Sequence, residues 1–204
     1  MWVVVLAGGI GSRFWPVSTV ERPKQLLPLA SDRSLIEDTV ERARALAPDD
    51  RIRILAGNHL VKPFRTVLGD LPDSCYWVEP AARGTAPVLA WAAWKLSRID
   101  PDAVMVSLHA DHRISPVSAL RDTVDTAVEI AARDDLLLSI GAIPDRVETA
   151  YGHLERGSAI PSGGVADAYR VARFHEKPDE DTARAYVDAG FLWNTGIFVW
   201  KAST

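Results

Sequence analysis

"VVVLAGGIGSRFWPVSTVERPKQLLPL", residues 3–29, decides how this chain is read. Residues 2–7 are an unbroken apolar run, the pattern of a strand buried on both faces and therefore of a central position in a parallel sheet. The run stops at Gly8, Gly9 and Gly11, where a turn can expose backbone N–H groups and let an anion approach closely. Arg13, Arg22 and Lys24 follow within a few residues. A buried strand feeding a glycine loop and a set of cations predicts an anion site at the carboxyl edge of a sheet.

The rest of the chain supports that sheet. Strands are predicted at 51–57, in "SCYWVEP" (74–80), at 103–112 and at 136–143. Helices are predicted at 34–46, where Ser34 and Glu37 form a capping box, at 59–70, broken or started near Pro63, at 85–99 with Thr85 as cap, and at 118–134. Alternation of this kind predicts an α/β fold with a doubly wound, mostly parallel sheet. After about residue 145 the pattern changes to "AYGHLERG", "VADAYRVARFHEKP" and "FLWNTGIFVW", read as strands of a mixed sheet carrying a substrate lid, with one short helix at 179–189. The reading is a single domain, 1–204, with a first part at 1–145 and a second at 146–204. Ligands of open α/β sheets bind beyond the carboxyl ends of the strands, so chemistry is expected at 8–24, 79–85 and 109–113.

Composition narrows the classes. The chain has 204 residues, 48% hydrophobic and 25% charged, enough to bury one sizeable core. A net charge of −4 with no basic face argues against nucleic acid. No apolar run approaches a membrane span, and the N-terminus lacks the basic leader and cleavage site of a signal peptide. The single cysteine, Cys75, excludes an internal disulfide framework, fits a reducing cytoplasm and reads as a core residue. Trp91 and Trp94, three apart on an apolar helix, read as core packing. No role is assigned to any tryptophan.

Three glycine-loop types compete. A phosphate-binding P-loop needs lysine after its last glycine, and no glycine here has one. A dinucleotide fingerprint needs a third glycine where Phe14 stands and an acid after the second strand, which instead ends "LAGNH"; a nicotinamide-dependent dehydrogenase is disfavoured on both counts. The third type fits. Gly8, Gly9, Gly11, Arg13, Pro16, Ser18, Pro23 and Lys24 resemble the signature of sugar-phosphate nucleotidylyltransferases. "EPAARGTAPVLA" (79–90), "HADH" (109–112), "YGHLE" (151–155), "FHEKP" (174–178) and "WNTGIFVW" (193–200) are similar, in the same order, to segments of the mannose-1-phosphate guanylyltransferases within that family.

The resemblance implies a Rossmann-like nucleotidyltransferase fold and a Mg2+-dependent transfer from GTP to mannose 1-phosphate, giving GDP-mannose and pyrophosphate. It makes 1–145 the nucleotide-binding part and 146–204 the sugar-phosphate-binding part. It assigns Leu6, Ala7, Gly8, Gly9, Gly11, Ser12, Arg13, Lys24, Glu79, Arg83, Gly84 and Thr85 to the nucleotide. Tyr151, Gly152, Glu176, Lys177, Asn194 and Thr195 go to the sugar phosphate together with Asp111, which also holds the metal. Arg13, Lys24 and Asp111 carry the catalytic charges. Glu79 can accept from guanine N1–H and N2–H2 together, a pair that adenine and the pyrimidines do not offer. His109 stands where the family pattern favours proline. His109 and His112 flank Asp111 without a usual zinc spacing and read as solvated or supporting histidines. Family domains continue past the equivalent of Thr204 to a second metal-binding aspartate. The expectation is therefore a C-terminally truncated catalytic domain with weak or absent turnover. Its rival classes are a binding module that holds nucleotide without turning it over, and a relative using another nucleotide or hexose 1-phosphate. The resemblance leaves a homodimer open.

Overall fold

The computed structural model describes residues 1–9, 14–19 and 22–204. Gly11, Ser12 and Arg13 of the glycine signature lie outside the described residues. Among the described residues eight strands form one sheet: β1 (Trp2–Leu6), β2 (Ile52–Ala56), β3 (Tyr76–Val78), β4 (Val104–His109), β5 (Leu138–Ala142), β6 (Gly152–Ile160), β7 (Ala168–Glu176) and β8 (Leu192–Lys201). Their order is β3-β2-β1-β4-β8-β6-β7, and β5 also pairs with β8. The first four strands are parallel to one another. The pairs β4–β8, β5–β8, β6–β7 and β6–β8 are antiparallel. The sheet is thus parallel where strands and helices alternate in the sequence and mixed where the pattern changes. Strand β5 belongs with the mixed half: it does not extend the parallel ladder from β4 but lies along β8, with a bulge between Ile140 and Gly141.

Among the described residues five α-helices flank the sheet: α1 (Leu35–Arg44), α2 (Asn58–Val67), α3 (Thr85–Ser97), α4 (Val117–Arg133) and α5 (Glu180–Asp188). Alternate side chains of a strand point to opposite faces, and β1 divides the core accordingly. Val3 and Val5 pack with Ile36 and Val40 of α1, Leu60 and Phe64 of α2, and Val124 of α4. Trp2 and Val4 face the other way, against Leu89, Ala92 and Leu96 of α3. Strand β8 serves both layers, with Ile197 and Val199 in the first and Phe198 and Trp200 against the second.

Helix α1 starts as expected. The Ser34 hydroxyl accepts from the Glu37 N–H, and the Glu37 carboxylate accepts from the Ser34 N–H at 2.9 Å. Three local expectations are corrected. Helix α2 begins at Asn58 and runs through Pro63, because burying Leu60 and Phe64 on one face outweighs the single backbone hydrogen bond that proline forgoes. The N-cap of α3 is Gly84, not Thr85. Its φ of 89° lies in the left-handed region that glycine enters without steric cost. Trp94 remains 58% exposed, whereas Trp91 meets Trp77 edge-on at 5.9 Å. Cys75 is buried in the core, as expected. Among the described residues no helix is long and apolar enough to cross a membrane.

Candidate active site

Strands β1, β3 and β4 all end on the same edge of the parallel half, and the segments after them meet there. Gly8 lies against Glu79: a Cβ built on Gly8 would fall 2.5 Å from the Glu79 Oε1. Gly9 lies against Lys24, whose Cε would be 3.7 Å from such a Cβ. Lys24 in turn pairs with Asp111, through Nζ and Oδ2, across 87 residues of sequence. Lys24, Glu79 and Asp111, all expected at the nucleotide or the reacting phosphates, therefore gather beside one short glycine turn.

The turn is held by a residue that sequence reasoning missed. Gln25 is buried and its side-chain amide donates to the carbonyl oxygens of Ala7 and Gly9, each at 2.7 Å. These bonds turn the Ala7 and Gly9 carbonyls toward Gln25. The only available signal was position, next to the motif lysine. Leu6 is half-buried, and Ala7 is fixed further by its N–H donating to the Leu55 carbonyl at 2.9 Å. Arg83, Gly84 and Thr85 lie exposed at the start of α3, at the positive end of that helix.

The electrostatics follow from this packing. Burial pushes the Glu79 carboxyl up. Burial also pushes Asp111 up, but the hydrogen bond and positive charge of Lys24 more than offset it and hold the carboxyl below its usual range. Burial lowers His109, and burial together with the neighbouring His109 lowers His112 to about 4. Both imidazoles are thus neutral at neutral pH. They are half-buried rather than solvated, with ring centroids 4.9 Å apart. The His109 Nε2 meets the carbonyl oxygen of Gly196 at 3.2 Å. Gly196 has a φ of 71°, and a Cβ there would stand 2.7 Å from that nitrogen. Only glycine accommodates both the backbone turn and the ring.

The expected sugar-side residues form a second group. A Cβ on Gly152 would meet Phe174 at 2.6 Å and the Glu176 Oε2 at 3.0 Å, so the strand pair β6–β7 closes tightly beside Glu176. Lys177 pairs with Glu176 at 2.8 Å and has a φ of 46°, a backbone state uncommon for a residue with a side chain. Tyr151 is 41% exposed and meets Trp193 edge-on at 5.3 Å. Asn194 and Thr195 are used internally. The Asn194 Oδ1 accepts from the Ser139 hydroxyl and the Gly196 N–H, and the Thr195 hydroxyl donates to the Ile140 carbonyl at 2.6 Å. Their side chains brace the β5 bulge and the turn that receives His109. Strand β8 joins the two groups, because Trp193 touches Tyr151 and Gly196 touches His109.

A doubly wound half-sheet here ends in a glycine turn with an ion pair at its carboxyl edge. Residues 2–204 match the family described as nucleotidyl transferase, and the chain belongs to that family. It is 39% identical over 207 residues to the mannose-1-phosphate guanylyltransferase ManC of Salmonella typhimurium strain LT2, covering 99% of this chain and 43% of that protein. It is 38% identical to the mannose-1-phosphate guanylyltransferase of Escherichia coli strain K12, with 99% and 43% covered. Among solved structures, a Thermus thermophilus protein described as a mannose-1-phosphate geranyltransferase superposes with a TM-score of 0.84 at 29% identity, over 99% of this chain and 57% of that one. The chain spans less than half the length of these two curated relatives.

Proposed function

We propose that this chain binds GTP and mannose 1-phosphate and belongs to an enzyme that joins them into GDP-mannose with release of pyrophosphate. The observation that carries the proposal is the meeting of Gly8, Gly9, Lys24, Glu79 and Asp111 at one strand edge, in a chain 39% identical to a guanylyltransferase. A phosphate oxygen of the sugar ester attacks the α-phosphorus of GTP in line, and the bond to pyrophosphate breaks. The second pKa of a phosphate monoester is about 6, so the nucleophile is already ionised at neutral pH and no general base is required. The barrier is the approach of two polyanions, which positioned cations lower. Lys24 supplies one such charge beside the glycine turn, and Arg13, by resemblance, a second with a planar fork for phosphate oxygens. Glu79, behind the same turn, reads the guanine edge. Glu176 accepts from sugar hydroxyls and Lys177 pairs with the sugar phosphate.

The carboxylate of Asp111 is an oxygen donor of the kind Mg2+ takes, and lies beside the lysine that would share the phosphates. Bound there, Mg2+ would neutralise charge on the triphosphate. A GTP-consuming reaction also accords with a cytoplasmic location.

Calorimetry of the chain against the four ribonucleoside triphosphates, each with Mg2+, tests the base. The GTP-saturated chain is then titrated with mannose 1-phosphate and other hexose 1-phosphates. Preference for GTP and then mannose 1-phosphate is expected. Equal affinity for all four triphosphates would remove Glu79 from base recognition, and indifference among hexoses would remove the mannose assignment.

A further inference from the structure

We propose that His109, Asp111 and His112 form a two-imidazole, one-carboxylate site for a first-row transition cation such as Mn2+, Co2+ or Zn2+. This deepens the reading of Asp111 as a metal carboxylate and needs neither the guanine nor the mannose assignment. The three residues each offer a ligand atom within 4.8 Å of the others, the only such group of three or more among the described residues. Ligands around one ion at about 2.1 Å stand about 3–3.5 Å apart, so small side-chain rotations close the set. His109 ends β4, and the turn that follows it brings His112 back over it, with the two rings 4.9 Å apart.

The second observation concerns the outer side of His109. A carbonyl oxygen only accepts, so the 3.2 Å contact with Gly196 puts the proton on Nε2 and leaves the lone pair on Nδ1. Metal-bound histidines commonly donate their other N–H to a backbone carbonyl, which fixes tautomer and ring orientation. Gly196 leaves room for that contact. Lys24 meets Oδ2 of Asp111, which leaves Oδ1 available to a cation. The donor set fits Mg2+ only in part. Mg2+ favours all-oxygen, near-octahedral surroundings, which Asp111 alone supplies here. Two imidazoles beside one carboxylate suit Mn2+, Co2+ or Zn2+, and affinity for such mixed sites rises along the first transition row.

The test uses Co2+ and Mn2+ with the nucleotide-free chain. One Co2+ is expected to bind per chain, with visible d–d absorption, and about a 100-fold excess of Mg2+ is expected not to displace it. His109→Ala and His112→Ala should each lose at least about 10- to 100-fold in Co2+ affinity, while His59→Ala, a change at an exposed histidine on α2, should not. Independently of any variant's folding, pulsed electron resonance of Mn2+ on the wild-type chain should show imidazole nitrogen coupling. Displacement of Co2+ by equimolar Mg2+, equal losses in the His59 variant, or absence of nitrogen coupling would each overturn the site. GTP titration in Mg2+ keeps the two readings apart: GTP binding without Co2+ binding refutes this inference alone, and Co2+ binding without GTP binding refutes the nucleotide reading alone.

Discussion

Replacing Gly8 with alanine is a steric probe of Glu79 that leaves the carboxylate chemically intact. Gly8 is not among the glycines with positive φ, so alanine fits its backbone. The gain from a less flexible unfolded chain is about 0.4–1 kcal/mol. The new methyl would lie 2.5 Å from Oε1 and 3.1 Å from Oε2 of Glu79, whereas ordinary van der Waals contact begins at 3.4 Å. The carboxylate is the movable end of a half-buried side chain, so it yields and its aim changes. A hydrogen bond to a charged acceptor contributes about 1.5–3 kcal/mol. Losing one of the two guanine contacts should therefore reduce the preference for GTP over ATP by about 10- to 100-fold. The assay is paired calorimetry with GTP and ATP on wild type and Gly8→Ala, with thermal unfolding as the check on folding. If the turn matters only for phosphate approach, both nucleotides weaken equally and the ratio stays at its wild-type value. That outcome would refute the placement of Glu79 at the base.

Three further outcomes are expected. Glu79→Gln should relax the preference for GTP; in wild type that preference should fall as acid protonates a carboxyl lifted above its ordinary value of 4.5, and the glutamine variant should lose this pH dependence in the same titrations. Gln25→Leu leaves the buried Ala7 carbonyl and the exposed Gly9 carbonyl without this donor and should cost about 1–3 kcal/mol in urea unfolding, the penalty of one stranded buried acceptor. Phe64→Ala, at a fully buried position, should destabilise by about 3–5 kcal/mol with base preference unchanged, read by urea unfolding and the same calorimetry.

Legibility tracked the range of the interactions. Strand β1 could be read because five consecutive apolar residues have few alternatives to a two-sided burial, and α1 because Ser34 and Glu37 complete their cap within four residues. The strand ends carrying Gly8, Glu79 and Asp111 followed from the alternation rule. What escaped depends on partners distant in sequence. Nothing near Leu138 says that its strand will lie along β8, nothing near Gln25 says that its amide will close the glycine turn, and nothing near His109 announces Gly196. Local rules also misled where packing overrode them, as at Pro63, which stays inside a helix because Phe64 is buried next to it. Asn194 and Thr195 read as hydroxyl-binding types, and the same polarity also serves the bulge beneath them.

The sheet's connectivity bears on the order in which the molecule assembles. Strand β4, central to the first half, has one neighbour from that half, β1; its other edge is filled by Val104–Val106 pairing with β8, a strand from the second half. On a ribosome the first 145 residues therefore emerge with an open edge of apolar strand, a template for unwanted pairing. Closure of that edge waits until Val199–Lys201 has been made, so the two groups of candidate residues come together in one step rather than one after the other.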